Sequence, residues 1–179
     1  MYIDLTRTIQ DGMAVYPNDP AMSLKKISDV DREGYHNYEL KTSMHVGTHI
    51  DGPFHMLKHQ PFISEYPLDH FIGLGKKVKL FRDYHYEGEE ILFIDTKTYL
   101  TKSWIDGVLI YPIRVIVLEI ESPDDFPYDI HKMCFEKGVL IVENATNFEL
   151  LPNNRIFKAF VIPLKIEADS SPCRLFVEI

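Results

Sequence analysis

Short runs of valine, isoleucine, leucine and phenylalanine recur along most of this sequence, with turn-forming residues between them. Such runs are typical of strands. The segments that suit strands are 76–81, 90–94, 107–111, 114–120, 138–143, 157–164 and 173–179. Segment 38–45 also suits a strand, because its side chains alternate between two faces of different polarity. The recurrence predicts a fold that is rich in strands.

Helical patterns are fewer than strand patterns. Segment 65–75 can hold a short helix, and segment 129–138 is the better candidate because its apolar side chains share one helical face. Gly138 can end that helix, which then leads directly into the strand predicted at 138–143. The mixture predicts an α/β domain with more strand than helix.

The length and composition narrow the class of protein. A chain of 179 residues predicts one domain, 1–179. The net charge of −8 argues against a nucleic-acid partner, which needs a clustered basic surface. No apolar run approaches the ~18 residues of a membrane span, and the first residues lack the pattern of a signal peptide. Cys134 and Cys173 do not form a CxxC pair, so we expect a reducing, cytoplasmic setting.

Segment 45–55, "HVGTHIDGPFH", concentrates three histidines and an aspartate: His45, His49, Asp51 and His55. Two glycines, a proline and several β-branched residues argue against a helix here. The intervals of four, two and four residues are all even, so an extended chain would place all four side chains on one side. We therefore predict a strand that runs into an ordered loop, with these side chains converging on one point.

The convergence of three imidazoles and a carboxylate requires a partner. These groups would repel one another if all the imidazoles were protonated, and they would desolvate at a large cost if unpaired. A divalent cation resolves the conflict, because neutral imidazole and carboxylate are its natural ligands. The alternative is a polar loop that binds no metal.

A second acidic residue, Glu143, follows four consecutive apolar residues in a predicted strand, and His131 precedes it by twelve positions. A carboxylate in such a strand needs a partner if it is buried. The two residues are therefore candidates for further metal ligands. Alternatively, Glu143 marks the solvent-exposed end of its strand.

The motif H-x-G-T-H-x-D-x-P-x-H is complete at 45–55, and it resembles the signature of the cyclase-like metal-dependent hydrolases. This family includes bacterial kynurenine formamidase and isatin hydrolase. The spacing from His131 to Glu143 is similar to a second family element. The opening at 3–20 and the close "IPLKIEADSSPCR" at 162–174 are also similar to the family's ends. The resemblance spans nearly the whole chain and implies a swivelling β/β/α cyclase-like domain.

The resemblance also implies a binuclear metal site. The implied ligands are His45, His49, Asp51, His131 and Glu143. In this arrangement His45 and His49 hold the first metal and Asp51 bridges to the second. His131 holds the second metal, and Glu143 contacts both. The ligand types suit zinc or manganese, and the resemblance implies two divalent ions per chain.

Two further roles follow from the same resemblance. His55 is left off the metals as the general acid/base, and Tyr16 lies where related formamidases place an aromatic residue against the substrate. Family members are commonly homodimers or homotetramers.

The ligand chemistry predicts hydrolysis of an amide-type bond in a small molecule, an aryl formamide or a cyclic amide. A bound divalent metal lowers the pKa of water from about 15.7 toward ~7, and an imidazole can then protonate the leaving nitrogen. A serine nucleophile is disfavoured, since the sequence contains no G-x-S-x-G. Two alternatives remain open at this point: another metalloenzyme of the family, a cyclase or dehydratase, and a non-catalytic metal-binding scaffold.

Overall fold

The computed structural model describes residues 1–80 and 84–179. The strands of the described residues are β1 (Tyr2–Asp4), β2 (Ser23–Ser28), β3 (Asn37–Lys41), β4 (His49–Asp51), β5 (Ile72–Lys79), β6 (Ile91–Asp95), β7 (Val115–Leu118), β8 (Leu140–Glu143), β9 (Ile156–Pro163) and β10 (Ser170–Glu178). The α-helices are α1 (Val30–Glu33), α2 (Lys102–Val108) and α3 (Asp129–Glu136). Single 3₁₀ turns lie at Pro53–His55, Ile63–Glu65, Leu68–His70 and Phe148–Leu150.

Seven strands of the described chain close into a barrel. The sheet order is β1-β10-β4-β8-β7-β6-β5-β9, and β9 also pairs with β10, which closes the ring and leaves β1 attached beside it. Strands β5 to β8 are parallel to one another, and the remaining barrel pairs are antiparallel. Closure leaves few unpaired edges that could template aggregation. The predicted strand-rich α/β class is confirmed.

The barrel is filled by one apolar cluster, and a second cluster lies between its parallel strands and the helices. In the interior, the ring of Phe93 lies 5.7 Å from that of Phe148 and 5.2 Å from that of Phe157. On the outside, side chains of β6, β7 and β8 pack against α2 and α3. Because these strands are buried on both faces, they read as unbroken apolar runs in the sequence.

Phe93 offers a direct test of the barrel core. Its side chain is fully buried, so Phe93→Ala should lower the free energy of unfolding by about 3–5 kcal/mol through lost burial and a residual cavity. Urea denaturation followed by circular dichroism measures this change. Ile110→Ala is the control, because Ile110 is 74% exposed and its loss should change stability by no more than about 0.5 kcal/mol. If both substitutions changed the free energy of unfolding by the same amount, the placement of Phe93 in the barrel core would be contradicted.

Most predicted strands of the second half of the chain are confirmed. The confirmed strands are those predicted at 90–94, 114–120, 138–143, 157–164 and 173–179, which correspond to β6 to β10. The helix predicted at 129–138 is α3. The strand predicted at 76–81 overlaps β5, although its last residue, 81, lies outside the described residues.

Three predictions of local structure were wrong wholly or in part. Segment 107–111 begins in the last turn of α2 and continues as a turn, because a short apolar run does not distinguish a strand from a buried helix end. Segment 65–75 contains one complete 3₁₀ turn, Leu68–His70, and the last residue of the turn before it. Strand β5 then begins at Ile72. Segment 38–45 is extended only as far as Lys41.

Strands β2 and β3 form a separate antiparallel hairpin, with α1 at its tip. Every residue of β3 is exposed, and α1 buries none of its residues. Several large apolar side chains of this hairpin face solvent: Ile27, Val30, Tyr35, Tyr38 and Leu40. No α-helix of the described residues has the length and apolar character needed to cross a membrane.

Candidate metal centre

Strand β4 places two of the predicted ligands in the barrel wall. It pairs with β8 so that His49 lies directly opposite Glu143, and it pairs with β10 on its other side. The predicted strand that runs into an ordered loop is present, although the strand itself covers only His49–Asp51. Gly47 has a φ of 58°, which glycine adopts without the strain that a side chain would cause. The four side chains nevertheless converge, because the 3₁₀ turn after β4 returns His55 to the same point.

The centre of the site is a buried group of three side chains. The Nε2 atom of His49 lies 3.6 Å from Asp51 Oδ1 and 3.4 Å from Glu143 Oε2. His49 Nε2 and Asp51 Oδ1 are buried and find no hydrogen-bond partner among the described residues. Burial without a partner is costly for polar atoms, and these donor types suit a divalent cation. The arrangement therefore fits a metal ion.

A second group shares Asp51 with the first. His45 Nδ1 lies 3.0 Å from Asp51 Oδ1, and ligand atoms of His45, Asp51 and His55 all lie within 4.8 Å of one another. Asp51 thus belongs to both groups, and each group could hold an ion. A ligand that bridges two ions must be shared in this way. The same geometry leaves room for His55 to act as a ligand.

Helix α3 brings His131 to the opposite side of Glu143. His131 Nε2 lies 3.2 Å from Glu143 Oε1, whereas His49 approaches the other oxygen, Oε2. Glu143 and His131 are both buried, so the alternative that Glu143 marks a solvent-exposed strand end does not hold. The two carboxylate oxygens of Glu143 face two different imidazoles, as expected for a residue that contacts two ions.

Each candidate histidine ligand also has an acceptor on its other nitrogen. His49 Nδ1 donates to the carbonyl of Gly47 at 2.9 Å. His131 Nδ1 contacts Asp124 Oδ1 at 2.5 Å, and His45 Nε2 lies 3.2 Å from Asp169 Oδ2. Metal-ligating histidines usually donate their second N–H to a carboxylate or a carbonyl in this way, which fixes the ring and the tautomer.

Two of these acceptors, Asp124 and Asp169, were missed by the sequence analysis. Asp169 Oδ2 lies 2.8 Å from His55 Nδ1, so one carboxylate contacts both His55 and His45. Asp124 also accepts from the main-chain N–H of Ile130 at 2.6 Å, which anchors it to the first turn of α3. The only signal for Asp169 was its place in the closing segment, and Asp124 has no pattern that separates it from its neighbour Asp125.

The carboxylates control the protonation of the imidazoles in the metal-free site. Burial lowers the pKa of His45, but the nearby carboxylates of Asp169 and Asp51 outweigh it and raise the pKa to about 10. Burial likewise lowers the pKa of His131, and its contacts with Asp124 and Glu143 raise it to about 9. These protons must leave when a metal binds, so metal affinity should increase with pH.

The site opens into a cavity of about 420 Å³. All of the predicted site residues line this cavity: Tyr16, His45, His49, Asp51, His55, His131 and Glu143. The hydroxyl of Tyr128 and partial burial raise the pKa of Tyr16 to about 12, so this phenol stays neutral. The cavity is large enough for a small aromatic molecule beside the buried centre.

Asp124 is expected to hold His131 in its ligating orientation. Asp124→Asn should weaken metal binding by about 10–100-fold, the usual effect of replacing an acceptor behind a ligating histidine. Competition with a chromogenic chelator measures the affinity. Asp125→Asn is the matched control, because Asp125 is adjacent but exposed. Wild-type affinity in Asp124→Asn would show that His131 needs no such support.

Comparison with known proteins agrees with this geometry. The family described as "Putative cyclase" matches residues 3–106, which is more than half of the chain. The chain is 24% identical to kynurenine formamidase from Bacillus mycoides (strain KBAB4), an alignment that covers 98% of this chain and 96% of that protein.

Two solved structures show the same fold. Isatin hydrolase A from Labrenzia aggregata, bound to benzyl benzoate, superposes with a TM-score of 0.85 at 20% identity, covering 99% of this chain and 93% of that one. A potential metal-dependent hydrolase with cyclase activity gives a TM-score of 0.81 at 22% identity, covering 99% and 96%. The family match, the closed barrel and the convergent histidines and carboxylates lead to one conclusion: the chain belongs to the cyclase family.

Proposed function

We propose that the protein is a metal-dependent hydrolase that cleaves an amide-type bond in an aryl formamide or a cyclic amide. The observation that carries this proposal is the buried group His49–Asp51–Glu143, with its unpartnered polar atoms, at the floor of a cavity beside His55. The names of the related proteins, kynurenine formamidase and isatin hydrolase, support the amide class of substrate.

The proposed cofactor is zinc or manganese, with two ions per chain. The proposed ligands are His45, His49, Asp51, His131 and Glu143. When bound, a divalent ion supplies a Lewis acid and lowers the pKa of water from about 15.7 to about 7. The sharing of Asp51 between two groups and the two-sided position of Glu143 support a binuclear site.

His55 is proposed as the general acid/base. Its Nδ1 atom lies 2.8 Å from Asp169 Oδ2, so Nδ1–H donates to that carboxylate and Nε2 is left to accept and release a proton. In hydrolysis of a formamide, water adds to the carbonyl carbon, the C–N bond breaks, and the leaving nitrogen takes up a proton. His55 lines the cavity and can deliver this proton.

Tyr16 is proposed to contact the aromatic part of the substrate. It lines the same cavity and remains 38% exposed, so its ring is available to a ligand. Tyr128 lines the wall next to it. The neutral phenol of Tyr16 suits an aryl group on the substrate better than a charged group, because aromatic rings stack and leave no ion to desolvate.

The test is a substrate screen with protein that was purified without chelator. Formanilide and isatin are the probes, and formate release and ring opening are the readouts. Hydrolysis that is lost with a chelator and restored by zinc or manganese is the expected result. Absence of turnover in metal-replete protein would contradict the proposal, and formation of a cyclic product would indicate the cyclase alternative.

The whole chain is proposed to act as one cytoplasmic domain that assembles into a homodimer or homotetramer. The first and last strands of the chain pair with each other, which supports one domain. Both cysteines are free and buried, which supports a reducing compartment. An isolated two-stranded hairpin is only marginally stable, so the exposed apolar side chains on β2–β3 support burial against another copy. Light scattering should give a mass of two or four chains.

A further inference from the structure

Arg7 occupies the junction of two cavities and takes no part in the proposed metal site. One cavity, the metal-site cavity, contains the candidate metal centre, and a neighbouring, more open cavity shares Arg7 with it. Among the described residues that line the metal-site cavity, Arg7 is the only lysine or arginine. An arginine beside the candidate metal centre, in a chain of net charge −8, calls for a physical explanation.

The main chain of Arg7 is fixed next to the metal-binding strands. Its N–H donates to Thr48 Oγ1 at 2.9 Å, and the Thr48 hydroxyl donates to the carbonyl of Asn144 at 2.7 Å. Thr48 immediately precedes His49, and Asn144 immediately follows Glu143. The main chain of Arg7 is therefore linked by hydrogen bonds to the sequence neighbours of two candidate ligands, His49 and Glu143.

One hydrogen bond positions the guanidinium group of Arg7, but no carboxylate among the described residues neutralises its charge. Nη2 donates to the carbonyl of Glu119 at 3.0 Å, whereas no carboxylate among the described residues lies within 4.0 Å of it. Lys97, in the adjoining cavity, differs because it forms an ion pair with the Glu119 side chain at 2.8 Å. The carbonyl contact occupies only one of the five N–H donors of Arg7.

Two acidic residues outside the proposed ligand set, Asp19 and Glu121, also line the metal-site cavity. Asp19 accepts a hydrogen bond from the Ser43 hydroxyl at 2.9 Å, so its carboxylate is already engaged within the protein. Neither acid forms an ion pair with Arg7. The guanidinium thus keeps its charge and most of its donors for a ligand.

We propose that Arg7 binds a carboxylate on the substrate, on the part of the molecule that extends from the scissile amide toward the adjoining cavity. This inference rests on the proposed function and names the substrate class as an anionic amide. The planar guanidinium fork matches a carboxylate with two parallel hydrogen bonds. Its exposed position at the junction of the two cavities and the lack of a carboxylate partner leave the guanidinium accessible to an external anion.

The kinetic test compares the three isomeric formamidobenzoates with neutral formanilide in the zinc- or manganese-loaded enzyme. In Arg7→Gln, KM for the preferred anionic isomer should rise by about 10–100-fold, the effect of losing a charge-assisted contact. The kcat/KM for formanilide should stay unchanged. Arg7→Lys should be intermediate for the anion, because it keeps the charge and loses the fork. Arg155→Gln, which removes an exposed cation outside both cavities, should behave as wild type.

A binding measurement separates failure of this inference from failure of the proposed function. Calorimetry with the acetamidobenzoates and neutral acetanilide reports binding without any need for turnover. If wild-type enzyme hydrolyses no probe but binds the anion in an Arg7-dependent manner, the proposed function fails and the anion site stands. Equal losses on anionic and neutral probes, or wild-type anion binding by Arg7→Gln and Arg7→Lys, would overturn the inference.

Discussion

Protein in which His49 is replaced by alanine should contain no stoichiometric metal at the central group and should not hydrolyse any substrate found by screening. His49 is buried, and its Nε2 atom lies 3.4–3.6 Å from the carboxylate oxygens of Glu143 and Asp51. Removal of the imidazole leaves the two carboxylates facing each other without the ligand between them. We expect the rate to fall by more than about 10⁴-fold, since the activation of water depends on the metal.

The measurement is metal analysis of purified protein together with the rate constant. His36→Ala is the matched control, because His36 lies in the exposed hairpin region and outside the cavity. Thermal unfolding of the metal-free proteins checks that each variant folds. Stoichiometric metal and wild-type turnover in His49→Ala would remove His49 from the ligand set.

His55→Ala should separate metal binding from catalysis. The expected result is a loss of about 10²–10⁴ in the rate, the usual contribution of a general acid/base, with metal content close to that of wild type. The physical reason is that His55 donates to Asp169 and leaves its other nitrogen free toward the cavity. Steady-state kinetics and metal analysis on the same preparation provide both numbers.

The two possible roles of His55 give opposite outcomes. Ligand atoms of His45, Asp51 and His55 lie within 4.8 Å of one another, so the site geometry also accommodates His55 as a ligand. If His55→Ala loses metal as completely as His49→Ala, then His55 is a ligand and not the acid/base. If the variant keeps both its metal and its full rate, the proton is transferred without this imidazole.

The strands that the sequence predicted best are those buried on both faces. Segments such as 114–120 and 138–143 are apolar throughout because β7 and β8 lie between the barrel core and the helices. The run at 107–111 looks the same in sequence, yet it begins in the last turn of α2. Length and composition do not separate these cases, since the difference depends on which surface covers each side chain.

The sequence pattern did not predict that the sheet closes into a barrel. Closure depends on β9 pairing with both β10 and β5, and on β4 fitting between β10 and β8. Such long-range pairings are determined by the packing of the whole sheet and leave no local signature. The resemblance to a known family implied the class of domain, and the closure itself is seen only in the folded chain.

The residues of the candidate site also fall into two sets, those that the sequence predicted and those that it did not. His45, His49, Asp51 and His55 were found together because they lie within one short segment with even spacing. Asp169 was missed because it reaches His55 across 114 positions of the chain, and nothing in its own segment indicates that contact. Asp124 was missed because its burial distinguishes it from Asp125 only in the folded structure.

The most direct test of the proposed metal site is anomalous diffraction from a crystal of metal-replete protein. A binuclear site predicts two anomalous peaks that share Asp51 and Glu143. His49 should coordinate one of them, and His131 the other, each at about 2.0–2.2 Å from its nitrogen. Absence of any peak between His49, Asp51 and Glu143 would contradict the central claim.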